Sequence, residues 1–428
     1  MKMKSDFIVM NIRPWSAAVK AFLDGGRLEP PSYAFGKEPR MPIYHQLGRV
    51  PKKRHLAFRS DSGVLHPEEL VGNKGFTGPS SLLYHLRAPT AVRSVKVFRE
   101  LGWEAEERGA LRCRHLRTAG LRAGPSAVLD RVPLLFNHDV ALLMAIPKQD
   151  DDFFFRNGQG DELVFVSEGG GVLESPLGEL SFRAGDYVVI PRGILHRWRF
   201  ETKPVRLLVV ESAGQVRTPK RYRNEHGQLL EGAPFSERDL RRPERLVTKD
   251  ETGEFRLLVK SDSRLTEMVL AHHPFDLVGW DGFYYPWAFS IHDFEPKVGR
   301  VHLPPPVHQT FEGDGFVVCS FCPRPYDFDP EAVPAPYNHA NVMSDEVLYY
   351  ANAEFMSRKG VEYGSITLHP DGLPHGPQPG RTEESIGAKW TNELAVMVDT
   401  FRPLHVSRAA LDLEDPDYQY SWLGTGER

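Results

Sequence analysis

Cysteine is scarce in this chain: three in 428 residues are too few for a disulfide framework and suit a reducing compartment. Long apolar runs are missing as well, and nothing approaches the ~18 residues of a membrane-spanning helix. No sign of charge dominates. The 53 Lys and Arg face 57 Asp and Glu, a formal net charge of −4, so no global field draws in nucleic acid or an anionic membrane. Two local basic runs exist, Arg49-Lys52-Lys53-Arg54 and Arg112-Arg114-Arg117, the second diluted by Glu104, Glu106 and Glu107. They read as solvated or subunit-contact faces. Helical periodicity is rare beyond one short stretch, WSAAVKAFLDGG at 15–26, closed by a Gly-Gly stop.

Turn formers are abundant. With 37 glycines and 35 prolines, about one residue in six is of these two types, against roughly one in eight in ordinary chains. Short β-branched or aromatic runs such as SVKVFREL, RVPLLFNHDVALLMAIP and ELVFVSEGGGVLE lie between turn signals from about residue 80 onward. The predicted class is all-β, with long loops and few helices. Residues 1–40, broken by Pro30, Pro31 and Pro39, read as an extension ahead of a body that starts near Met41. In MKMKSDFIVMNIRPWS, Arg13 interrupts the apolar run and no small-residue cleavage site follows, so a cytoplasmic protein is expected. The polar stretch 217–245 reads as a long connection. Cys319 and Cys322 form a C-x-x-C, but inside a strand-like run that points them to opposite faces, so they read as packing residues and not as a redox or zinc pair.

The strongest signal is an internal repeat. Residues 185–196, GDYVVIPRGILH, and 364–375, GSITLHPDGLPH, both obey G-x5-P-x-G-x2-H. Upstream, Asn157 precedes Glu162 by five positions and Asn341 precedes Glu346 by five. An apolar strand, a Pro-x-Gly turn and a following histidine aim an imidazole into a barrel. The repeated pattern resembles the two consensus motifs of the cupin superfamily, which implies two jelly-roll barrels in one chain. The expected division is a degenerate cupin domain with its connecting segment at 41–285 and a second cupin domain at 286–428.

The copies differ in their donors. The second has His339, Glu346 and His375, whereas the first has Phe155, Glu162 and His196. Two histidines and a carboxylate suit non-haem Fe(II), and zinc accepts the same donors. The first copy therefore reads as structural, with His196 and Glu162 a hydrogen-bonded core pair.

Several separated stretches carry a closer resemblance: MPIYHQLGRVPKKRHLAFR, RYRNEHGQLLEGAPFSERDLR, HHPFDLVGWDGFYYPWAF, PYNHANVMSDE and LHPDGLPHGP, in that order. They resemble the homogentisate 1,2-dioxygenase family over roughly residues 41–428. The resemblance implies one Fe(II) per chain, held by His339, Glu346 and His375. It implies opening of the homogentisate ring with O2 to maleylacetoacetate, as in tyrosine and phenylalanine catabolism, and assembly into a homotrimer or hexamer. It places a second active-site histidine at His369 and an acid/base histidine at His302 or His308, with His308 preferred ahead of QTFEGDGF. His369, His375, Tyr349 and Tyr350 are the expected substrate contacts, and Arg324 is a candidate partner for the substrate's acetate. Two departures stand out. The family's glutamate falls six positions after its first histidine, where this chain has Asp345. The internal Asn/Glu spacing favours Glu346 instead. The family's substrate-side tyrosine falls on Phe355. A related iron cupin acting on another dihydroxyaromatic acid such as gentisate is therefore an alternative, as is a non-catalytic bicupin. No nucleic-acid or membrane partner is expected.

Overall fold

The computed structural model describes residues 43–107 and 109–423. The extension expected at 1–40, with its short helix, lies outside the described residues. β-branched and aromatic runs cut by glycine and proline can satisfy their backbone groups only by pairing laterally, and strands dominate accordingly. Among the described residues the one α-helix is Arg381–Ser385.

The sequence repeat is a repeat of hydrogen bonding. In the first copy, strands Val132–Phe136, Val140–Ala145, Leu195–Ser212, Asp161–Ser175 and Asp186–Ile190 are neighbours in that order. In the second, Gln309–Gly313, Phe316–Phe321, Ala395–Thr400, Asp345–Tyr350 and Ser365–His369 follow the same order. The registers coincide. Glu162 lies opposite Ile190 and Glu211, as Glu346 lies opposite His369 and Asp399. Phe155 opposes His196 as His339 opposes His375. The Pro-x-Gly turns also match: Gly193 and Gly372 sit at φ 83° and 74°, where a side chain would be strained. Their N–H groups donate to the carbonyls of Asn157 and Asn341, at 2.7 and 2.8 Å.

The edges of these sheets are covered by exchange. Trp287–Ser290, which leads into the second copy, pairs with Asp186–Val189 of the first. Arg114–Arg117, which leads into the first, pairs with Ser365–Leu368 of the second. Likewise Arg217 pairs with Glu312, and His405 and Val406 pair with Phe136 and Leu135. Each unpaired edge is thereby satisfied by chain from the other half. The boundary expected at 285/286 follows the sequence repeat but is crossed by backbone hydrogen bonds in both directions. The cores merge too, with Leu163 and Val209 of one sheet and Val347 and Val398 of the other in one buried cluster. Two buried hydroxyl contacts span them: Tyr187 and Ser320 share a 2.8 Å hydrogen bond, and Tyr349 donates to Ser167 at 2.7 Å.

Candidate metal centre

Strand Asp345–Tyr350 has a period of two, and that period sorts its side chains. Val347 and Tyr349 enter the core shared by the halves, while Leu348 and Tyr350 join a separate cluster with Cys319 and Met397. Glu346 is on the latter face. Asp345 is on the former, where its Oδ1 accepts from Asp371 N at 2.8 Å and its Oδ2 from Leu404 N at 2.7 Å.

His339, Glu346 and His375 come together, each offering an atom within 4.8 Å of the others. Backbone carbonyls set the tautomers. His339 donates from Nδ1 to Tyr337 O at 3.3 Å and His375 from Nδ1 to Leu373 O at 3.0 Å, so both turn a bare Nε2 inward. These nitrogens stand 3.5 Å from Glu346 Oε2 and 3.4 Å from Oε1. Such spacings are too long for good hydrogen bonds. Two atoms each ~2.1 Å from one ion, at right-angle to tetrahedral separation, lie about 3.0–3.4 Å apart. His375 Nε2 is moreover buried without a hydrogen-bond partner. The three residues fit a divalent metal. Burial pushes the Glu346 carboxyl up, but the surrounding imidazoles outweigh it and hold the group well below the ordinary range. The neighbouring Glu346 carboxylate raises His339 against the effect of burial.

His369 is near this cluster but turned from the open side. A carboxylate only accepts, so His369 donates from Nδ1 to Glu346 Oε1 at 2.9 Å and accepts at Nε2 from the Tyr418 hydroxyl at 3.1 Å. Its ring stacks on His375 with centroids 4.5 Å apart. Burial pushes it down to about 4, against the pull of Glu346, so the ring is neutral. With both nitrogens engaged, His369 holds the carboxylate from behind and is not among the residues that line the cleft, where a substrate contact was expected. Metal-site carboxylates held this way lose on the order of 10–100-fold in metal affinity when the supporting partner goes. Tyr418→Phe and His369→Ala are expected to fall in that range, read by competition with a chelator.

A cleft opens on the cluster, lined by His339, Glu346, His302, His308, Arg324, Phe355 and Arg358 among others. His308 is buried against Phe321, with ring centroids 4.7 Å apart, and its Nδ1 is unpartnered. Burial, then Arg324 and His302, push it down to about 3. His302 lies further out, 5.1 Å from the Tyr337 ring. Arg324 pairs with Glu393 at 2.5 Å and donates to Cys322 O at 3.1 Å.

Tyr349 and Tyr350 do not line the cleft. Tyr349 points into the inter-sheet core, bonded to Ser167. Tyr350 sits behind Phe355, its hydroxyl 3.1 Å from Thr367 Oγ1. Adjacent strand residues cannot share a face, so both expectations could not hold together. Cys319 and Cys322 fall in different clusters as unpaired thiols.

Two residues escaped the sequence reading. Arg358, buried, lines the cleft and donates to Gly376 O at 2.6 Å, with Trp422 over its guanidinium at 5.7 Å. Tyr418 approaches from a C-terminal turn, Tyr418–Tyr420. Neither belongs to a motif, and no local pattern marks them.

The repeated strand order, the matched registers and this donor cluster define a cupin-type protein with two copies of the motif and a candidate metal site in the second. A family model described as "Homogentisate 1,2-dioxygenase N-terminal" matches residues 135–291. A protein of Saccharolobus solfataricus named "Putative dioxygenase SSO1533" is 41% identical over 388 residues, covering 89% of this chain and 99% of that one. Homogentisate 1,2-dioxygenases of Bradyrhizobium diazoefficiens and Nitrobacter hamburgensis are 29% and 27% identical over 66% and 65% of this chain. The alignments span 65% and 64% of those two proteins' own lengths. Among solved structures, a cupin 2 conserved barrel domain protein from Leptotrichia buccalis aligns with 68% of this chain at 9% identity, with a TM-score of 0.33, and covers 98% of its own chain. The chain belongs to the homogentisate 1,2-dioxygenase family.

Proposed function

We propose that this chain is a non-haem Fe(II) ring-cleaving dioxygenase that opens homogentisate with O2 to maleylacetoacetate. The observation that carries the reading is the inward-facing cluster of His339, Glu346 and His375, of which His339 and Glu346 line a cleft that also holds two arginines and a neutral histidine. These three residues would hold Fe(II). When bound, the ion supplies Lewis acidity and an electron path between an aromatic ring and triplet O2.

The remaining steps fall to the chain itself. His308, which lines the cleft and carries an unpartnered Nδ1, takes a proton from a ring hydroxyl and returns it later. Arg324, on the cleft wall with its guanidinium 5.7 Å from the Phe321 ring, receives the substrate carboxylate. Phe355 packs along the ring. The loop carrying His339 exposes Tyr337, Val342 and Met343, an apolar surface that suits a neighbouring subunit, in line with a homotrimer or hexamer. Unpaired cysteines suit a cytoplasmic setting, and among the described residues no helix is long and apolar enough to cross a membrane.

A second reading, a related acid such as gentisate, is favoured by Phe355 in place of the family's tyrosine. Anaerobic loading with Fe(II), followed by O2 uptake with homogentisate, gentisate and unsubstituted hydroquinone, separates the readings. Homogentisate is expected to give the highest kcat/KM. Arg324→Met should lower it by roughly 10–100-fold, the value of a hydrogen bond to a charged group, and leave hydroquinone turnover unchanged. Higher turnover of gentisate would move the assignment. No uptake with any of the three would mean a non-catalytic bicupin.

A further inference from the structure

The first copy retains most of the cradle seen in the second. His196 donates from Nδ1 to Ile194 O at 3.1 Å, two residues upstream, as His375 does to Leu373, and its Nε2 is likewise buried without a partner. Glu162 occupies the register of Glu346 and is fully buried. A buried carboxylate without a counter-charge is strongly disfavoured. Here the counter-charge is Arg131, whose Nη1 and Nη2 donate to Glu162 Oε1 and Oε2 at 2.7 and 2.9 Å. Its Nε donates to Ala127 O at 2.9 Å, so the fork is fixed at its base. The guanidinium lies 5.6 Å from the centroid of the Phe155 ring, and Phe155 holds the place of His339 opposite the downstream histidine.

The neighbouring carboxylate follows the same rule. Glu211, opposite Glu162, receives Lys260 Nζ at 2.5 and 2.7 Å. In the second copy no Lys or Arg ion pair reaches Glu346 or Asp399 among the described residues, and the neighbours of Glu346 are imidazoles. Arg131 directly precedes the first strand of its copy, Val132–Phe136, and His308 directly precedes the matching strand, Gln309–Gly313. Both copies send a nitrogen-bearing side chain inward from the same junction.

We propose that the Arg131 guanidinium stands in the cation position of the first copy, so that this half keeps the shape of a metal centre with one of its own side chains as the ion. Phe155 belongs to the same exchange: an imidazole there would compete for the cavity, whereas an aromatic face accepts a guanidinium. The first half thereby holds its buried carboxylate neutralised whether or not metal is supplied. It can act as a permanent scaffold for the half that must load metal.

The test uses the full chain with cobalt(II) as the probe, in a His375→Ala background. Its readout is then cobalt gained by the first half, whatever the second half does with iron. His375→Ala alone and His375→Ala/Phe155→His, in which Arg131 remains, are expected to gain none. His375→Ala/Phe155→His/Arg131→Ala is expected to gain one cobalt per chain by elemental analysis. A visible d–d band and a cobalt-dependent rise in Tm should accompany it. Uptake by the variant that keeps Arg131 would overturn the proposal, because the guanidinium would not be in the ion's place. So would a triple variant that takes up no cobalt, or that fails to fold even when refolded with it.

Discussion

Glu346→Gln is expected to abolish metal retention and dioxygenase turnover, while the neighbouring Asp345→Asn keeps the metal and loses stability. The two carboxylates differ by one position on a strand and therefore by a whole face. Glu346 meets His339, His369 and His375, whereas Asp345 clamps the backbone of Asp371 and Leu404. The first copy repeats the division of labour. Asp161 accepts from Arg192 N at 2.8 Å and Val216 N at 2.9 Å, the counterparts of Asp371 and Leu404, and Glu162 faces the cavity. A role present in both copies, one without metal-type donors opposite it, is a role in the fold. An asparagine at 345 can accept from only one of the two N–H groups on its single oxygen. The other is left buried and unmet, at a cost of about 1–3 kcal/mol. Metal content of the purified variants, set beside their Tm values, checks the pair. Metal lost from Asp345→Asn and kept by Glu346→Gln would reverse the assignment.

Cutting the chain at 285/286 is expected to leave neither half folded alone. The first half would lose Trp287–Ser290 from one sheet edge, and the second would lose Arg114–Arg117. The Arg217–Glu312 pairing and the pairing of His405 and Val406 with Phe136 and Leu135 would also be severed. Each half would expose its side of the shared core and strand a buried tyrosine hydroxyl, Tyr187 or Tyr349, without its serine. Exposed strand edges beside apolar faces aggregate. Separate expression should give insoluble protein, and co-expression of the two pieces should restore a soluble complex. Gel filtration and circular dichroism distinguish the outcomes. A half that unfolds cooperatively by itself would show that the exchange is decoration and not support.

The donor set was legible in the sequence because it is local. A Pro-x-Gly turn, a histidine three residues after the glycine and a glutamate five after an asparagine are spacings that backbone geometry within one hairpin enforces. Their duplication makes them stand out. The choice of Glu346 over Asp345 rested on the same repeat, and the strand's alternation accounts for it. The all-β class followed from turn residues and short apolar runs.

What the sequence left open depends on chain segments far apart. His369 reads as a substrate contact until Tyr418, 49 residues on, is seen bonded to its second nitrogen. Tyr349 and Tyr350 look equivalent until each face of their strand has a neighbour. Arg131, 31 residues before Glu162, carries no motif, yet it completes the first copy. The exchange of edge strands is equally silent, since hydrogen bonds between backbones leave little trace in side-chain pattern. Local spacing determined which groups this chain can turn toward a metal. Only the packing of one copy against the other decided which of them face the cleft, which are held from behind, and which carry their own counter-ion. Burial and partner charge are properties of the assembled sheets.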